Sequence, residues 1–125
     1  MDHAELVQAA TDVANRFSHA ETHTVGAAAR AADGRIFVGM NVCHFTGGPC
    51  AELVVIGAAA AAGAHDLRTM VAVGDRGRGL LAPCGRCRQV LLDYFPDLTV
   101  LMGTAAAPAG VPIGELLPGA YVWGG

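Results

Sequence analysis

Three cysteines and one glutamate carry the chemistry open to this sequence. Cys50-Ala51-Glu52 follows Gly47-Gly48-Pro49, and Pro83-Cys84-Gly85-Arg86-Cys87 comes some thirty residues later. Three thiols and a carboxylate in this order suggest a catalytic zinc site. Cys50, Cys84 and Cys87 supply three ligands, and the fourth position stays open to water, as catalytic zinc sites typically arrange it. Zinc lowers the pKa of a bound water from about 15.7 towards 7, which gives a nucleophile without strong base. Glu52 stands too close to Cys50 for comfortable ligation and is placed to move that water's protons, first as base and then as acid. Such a site suits hydrolytic replacement of a poor leaving group.

The elements that position these residues follow from the local spacing. Pro49 and Pro83 are each suited to the first turn of a helix, where a missing N–H costs nothing. Cys84 and Cys87, three apart, share one helix face. Cys50 is expected in the first turn of the other helix. Two helix N-termini then converge on one metal, and their positive ends favour thiolates. Three thiolates around one divalent cation leave a charge of −1, which opposes deprotonation of the water. Arg86, between Cys84 and Cys87, is the first residue to offset that charge and Arg88 the second.

Apolar residues at Leu6, Val7, Ala10, Val13, Ala14 and Phe17 have helical period, predicting a helix from about 4 to 17. Residues 24–32 and 35–42 flank Asp33-Gly34, a hairpin signal. A glycine-bearing loop over 41–49 leads to the first zinc helix, which ends near Gly63. Strands are expected at 70–74 and 98–102, with the second zinc helix between them, stopped by Pro96. Residues 75–79 and 103–112 read as loops and 113–117 as a helical turn. The alternation of strands and helices after the second strand predicts parallel pairing there. The expected fold is α/β, a mixed sheet between helices, in one domain over residues 1–125.

Bulk properties narrow the partners. The chain of 125 residues is 53% hydrophobic and 15% charged, which excludes disorder and suits one core. It has no lysine and a formal charge of −3, with no basic run and few aromatics for base stacking. A nucleic-acid polymer is therefore not expected as partner, and a small molecule is. Apolar runs are too short for a membrane span. The acidic start, Met1-Asp2-His3-Ala4-Glu5, lacks a signal peptide's basic region, so a cytoplasmic location is expected. There, four cysteines read as metal ligands plus a spare thiol.

The zinc phrases do not stand alone. Asp33-Gly34-Arg35-Ile36-Phe37, Asn41-Val42, the run His44-Phe45-Thr46-Gly47-Gly48-Pro49-Cys50-Ala51-Glu52-Leu53-Val54-Val55, the run from Pro83 to Asp93, Glu115-Leu116-Leu117-Pro118 and Tyr121-Val122-Trp123 together resemble the cytidine deaminase superfamily. Within it, the His-Phe-Thr-Gly-Gly run and the Tyr-Val-Trp tail look most like the blasticidin S deaminases. The resemblance implies a three-layer α/β/α fold, a homotetramer, one zinc on Cys50, Cys84 and Cys87, Glu52 as proton shuttle, and hydrolytic loss of the cytosine 4-amino group as ammonia. Two departures bear on substrate. Cytidine deaminases carry an Asn-x-Glu pair that grips ribose, and here the place reads Asn41-Val42-Cys43. They also carry a Phe where this chain has His23.

The expected substrate is thus blasticidin S or another cytosine compound without plain ribose. Cytidine, deoxycytidine and free cytosine-like or triazine bases are the other substrates considered. Asn41, His44, Arg78, Tyr121 and Trp123 are the residues expected to meet substrate, with Arg78 reaching a carboxylate by its forked donors. Plainer readings stand beside these. The zinc could be structural, with Cys43 or His44 as fourth ligand, in a binding protein that kept the fold. Arg76 and Arg78 could be surface charges, His44 a turn residue, Cys43 a packed thiol, and Tyr121 and Trp123 anchors of a final strand.

Overall fold

A computed structural model describes residues 2–122. Helix α1 (His3–Phe17) starts at Asp2, whose carboxylate accepts the Ala4 N–H at 3.0 Å, and buries Leu6, Val7, Ala10 and Ala14 on one face. Strands β1 (Val25–Ala31) and β2 (Ile36–Met40) form the hairpin, in register from Gly26↔Met40 to Arg30↔Ile36. Its turn needs Gly34, at φ 94°. Then come α2 (Ala51–Ala61), β3 (Leu67–Gly74), the short β4 (Gly79–Leu80), α3 (Gly85–Tyr94), β5 (Thr99–Gly103), β6 (Pro108–Pro112) and a 3-10 turn at Ile113–Leu116.

The sheet runs β2-β1-β3-β5-β6, with β4 paired to β3. Strand alternation divides its side chains between two cores. Ala28, Val71, Val73 and Leu101 face α1. Ala27, Ala29, Met70, Ala72 and Val100 face the other way, in one cluster with Val55 and Ala59 of α2 and Leu91 of α3. The fold is therefore the expected three-layer α/β/α arrangement about a mixed sheet. Alanines along β1 let the helices come close. At Gly26 a Cβ would lie 2.8 Å from both Ala10 O and Ala14 N, so α1 rests directly on the strand backbone.

Several expectations need correction. β3 and β5 pair in parallel, but β3 lies beside β1, antiparallel to it, and not beside β2. The hairpin inserts β1 between the strands that α2 connects. Residues 103–112 are not simply a loop, because Pro108–Pro112 pairs antiparallel with β5. Prolines are tolerated there because the strand lies at the sheet edge. β4 was likewise expected as loop, and β3 begins three residues before position 70. Pro49 and Pro83 precede the helix caps instead of occupying first turns. Cys50 and Cys84 are the caps themselves, held extended at ψ 158° and 170°. Tyr121 and Val122 form no strand, and Trp123 lies outside the described residues.

Candidate functional site

The caps bring the sulfurs together. Cys50 ends the loop before α2, Cys84 ends the loop before α3, and Cys87 lies in the first turn of α3. Their Sγ atoms all lie within 4.8 Å of one another. Zinc–sulfur bonds of about 2.3 Å place tetrahedral sulfurs about 3.8 Å apart, and Cys50 and Cys84 are separated by 3.6 Å. The donor set therefore fits one zinc ion per chain. The burial is graded, with Cys87 buried, Cys50 half-buried and Cys84 exposed. An open side facing Cys84 suits a site that admits water and substrate.

Electrostatics separate the thiols. Burial raises the Cys84 thiol, but the Cys87 amide, the thiols of Cys50 and Cys87 and the Arg86 amide outweigh it, so Cys84 ionises below its ordinary value. Burial pushes the Cys87 thiol far up, and the charges of Glu52 and Cys50 push the same way. A divalent cation among the sulfurs removes that penalty. Arg86 donates from Nη2 to Gly48 O at 3.1 Å and to Cys50 Sγ at 3.7 Å. Arg88 is directed elsewhere. Its guanidinium bonds Pro83 O at 2.7 Å and Leu116 O at 3.0 Å, tying the start of α3 to the 3-10 turn.

Glu52 follows the Cys50 cap and is buried, at 5% exposure. Burial pushes its carboxyl up, only partly offset by its own backbone amide. Glu52, Cys50 and Cys84 line one cavity of about 270 Å³. Val25, Ala72 and Leu81 give it apolar walls, and Asn41, Cys43 and His44 form a polar edge. Cys43 is exposed there, so its reading as a packed strand thiol is corrected. Strand β2 has already ended at Met40, which leaves the thiol in a loop.

The remaining expected residues divide. Asn41 lines the cavity, but its Oδ1 accepts the Thr24 and Val25 amides at 2.7 and 2.9 Å. His44 lines it too, with Nδ1 turned to Thr46 and its ring stacked on Phe45. Arg78 does not line it. Its Nη2 bonds Asp75 Oδ1 at 3.0 Å and Thr24 O at 2.8 Å, and its Nε faces Asp75 O. Buried Asp75 needs a cation, and that need takes the guanidinium away from substrate. The signal was legible as Asp75 three residues before Arg78. Tyr121 is 74% exposed and away from the cavity, and its carbonyl accepts from Gln89.

With this geometry in place, likeness to known proteins becomes decisive. Residues 1–102 match the cytidine and deoxycytidylate deaminase zinc-binding region. The chain belongs to the cytidine deaminase family. It is 35% identical over 126 aligned residues to the blasticidin-S deaminase of Bacillus cereus, covering 94% of this chain and 90% of that protein. It is 39% identical over 99 residues to a cytidine deaminase of Mycobacterium tuberculosis, covering 78% and 71%. Among solved structures, the cytidine deaminase of Burkholderia pseudomallei superposes with a TM-score of 0.80 at 32% identity, covering 97% of this chain and 100% of that one. A cytidine deaminase structure from Mycobacterium tuberculosis gives 0.78 at 31%, covering 98% and 99%. The deaminase described here is accordingly a zinc enzyme of this family. No helix among its described residues is long and apolar enough to cross a membrane.

Proposed function

We propose that this deaminase hydrolyses the 4-amino group of a small cytosine compound whose N1 substituent is not plain ribose, of the blasticidin S type. The observation that carries the proposal is the shared cavity: a buried carboxyl at Glu52 beside three converging thiols. Cys50, Cys84 and Cys87 would hold the zinc, which would supply a water acidic enough to attack at neutral pH. Glu52 would take the water's first proton and pass it to the ring nitrogen, then take the second from the added hydroxyl and pass it to the departing amine. Water and the aminopyrimidine thus become the oxo compound and ammonia. Arg86, shared between Cys50 Sγ and Gly48 O, would offset thiolate charge around the metal.

Cys43 supports the finer reading. A thiol in the ribose-gripping place offers no strong acceptor for sugar hydroxyls. The likeness to the Bacillus cereus enzyme over 94% of this chain points the same way, and a detoxifying role follows from such a substrate. Cytidine or deoxycytidine is the second reading, favoured by the 39% identity to the Mycobacterium tuberculosis cytidine deaminase. We further propose one domain over residues 1–125, a homotetramer and a cytoplasmic setting. Ammonia release from blasticidin S, cytidine, deoxycytidine, cytosine and aminotriazines, run on protein of known zinc content, decides among these. Cytidine as best substrate would return the enzyme to pyrimidine salvage. Bound zinc with no release from any compound would leave a zinc-stabilised binding protein.

A further inference from the structure

The start of α3 is weakly specified by its own sequence. The cap residue Cys84 makes no side-chain cap bond, and the first helical residue is Gly85. Cysteine is not among the residues that cap helices well, and glycine is a poor helix former, so this end frays unless something else holds it. Cys84 is also the most exposed of the three clustered thiols. Cys87 is held by complete burial, and Cys50 Sγ takes Arg86 Nη2 at 3.7 Å. Packing holds Cys84 less, so the place of its sulfur depends on the backbone.

One residue grips that backbone on both sides of the cap. Arg88 N–H donates to Cys84 O at 2.9 Å, and Arg88 Nε donates to Pro83 O at 2.7 Å. Pro83 is buried, so its carbonyl needs a donor from the protein. Peptide units are planar, and orienting the unit before Cys84 and the unit after it fixes φ and ψ there, at −70° and 170°. Only rotation about χ1 is left to the sulfur. The far side of the guanidinium is anchored in turn. Its Nη1 donates to Leu116 O at 3.0 Å, in the 3-10 turn that fully buried Ile113 pins by its N–H to Leu98 O at 2.9 Å.

We infer that Arg88 is a positioning residue for zinc retention, whose forked guanidinium ties the Cys84 cap to the 3-10 turn and so presents the exposed sulfur to the metal. The inference rests on the deaminase reading only in taking the three sulfurs as zinc ligands. Geometry and not charge is the agent. The Arg88 guanidinium is spent on carbonyls, and Arg86 is the arginine that reaches a sulfur. A lysine has the charge without the planar fork, so it cannot serve both carbonyls in the same way.

Zinc affinity, read by competition with a chromophoric chelator, tests this. Arg88→Met should weaken zinc binding about 10–100-fold, the usual effect of removing a partner that orients a metal ligand. Arg88→Lys should lose most of the same affinity, and it serves if Arg88→Met fails to fold. Cobalt(II) loaded in place of zinc should show altered visible absorption in both variants, a change of ligand geometry that lost stability alone does not produce. Gln89→Ala is the control. Gln89 bonds Asp93 and holds the same C-terminal segment through Tyr121 O at 3.1 Å, so its loss should leave zinc affinity as in the wild type. Unchanged affinity in Arg88→Met, full affinity in Arg88→Lys, or an equal loss in Gln89→Ala would overturn the positioning role. Ammonia release measured alongside separates the two readings. Zinc held by the wild type with no release from any cytosine compound sinks the reaction alone, because the comparison of variants reads the metal.

Discussion

On the proposed mechanism, Glu52 and the three cysteines divide the work at the scale of single residues. Glu52→Gln preserves shape and should leave zinc in place, because the carboxylate is not among the clustered ligand atoms. Turnover should fall about 10²–10⁴-fold, since an amide cannot carry the protons. Zinc content by atomic absorption and single-turnover rates check both halves, and a near wild-type rate would remove Glu52 from the mechanism. Cys84→Ala should lose metal as well as activity, because two thiols do not complete a three-ligand site. The three cysteines were legible in the sequence because each reports a fixed chemical need at fixed spacing. The roles of Arg78 and Asn41 were not. Their orientation depends on Asp75 and on the Thr24 and Val25 peptides, partners that no local motif announces.

Helix starts and one loop convert this chemistry into geometry at the scale of elements. The loop between β2 and α2 is closed on itself by Val42 N–H to Pro49 O and by Gly47 and Gly48 N–H to His44 O. A Cβ at Gly48 would stand 1.7 Å from Val42 O, so the closure requires glycine. Gly48→Ala should cost about 1–3 kcal/mol. It should also weaken substrate binding more than zinc binding, because it moves Asn41–His44 more than the caps. Thermal melts with matched KM measurements test this, and an unchanged Tm would refute the crowding. Arg78→Ala should destabilise by a similar margin, about 1–3 kcal/mol, because buried Asp75 then keeps only the longer contact to Arg76 at 3.7 Å. The helix starts expected at Pro49 and Pro83 fall ahead of the observed caps, Cys50 and Cys84, whereas the period of α1 and the Asp33-Gly34 hairpin were readable because local signals dictate them. β6 was not, since Pro108-Ala109-Gly110-Val111-Pro112 has little strand propensity and pairs only because β5 offers it a free edge.

Unsatisfied surface remains at the scale of the whole molecule. Helix α2, Ala-Glu-Leu-Val-Val-Ile-Gly-Ala-Ala-Ala-Ala, is apolar on every side, yet this chain buries only the face of Ala51, Glu52, Val55 and Ala59. A helix without a polar face belongs between two packed layers. Leu53, Ile56, Gly57 and Ala60 of α2, with Val90 and Tyr94 of α3, line a shallow apolar groove on the opposite side. Phe45 at 95% exposure and Tyr121 at 74% extend the apolar surface beyond what a monomer of this size ordinarily leaves in water. Packing of identical copies through α2 would cover the groove, and small residues there would permit close approach. Light scattering should therefore give about four times the 12.7 kDa chain mass. Gly57→Arg makes the sharper test. A Cβ at Gly57 meets nothing within 4 Å, so the protomer should fold and keep its circular dichroism while the assembly falls apart. A wild-type monomer at micromolar concentration, or an intact tetramer in Gly57→Arg, would show that α2 is not the surface that joins the copies.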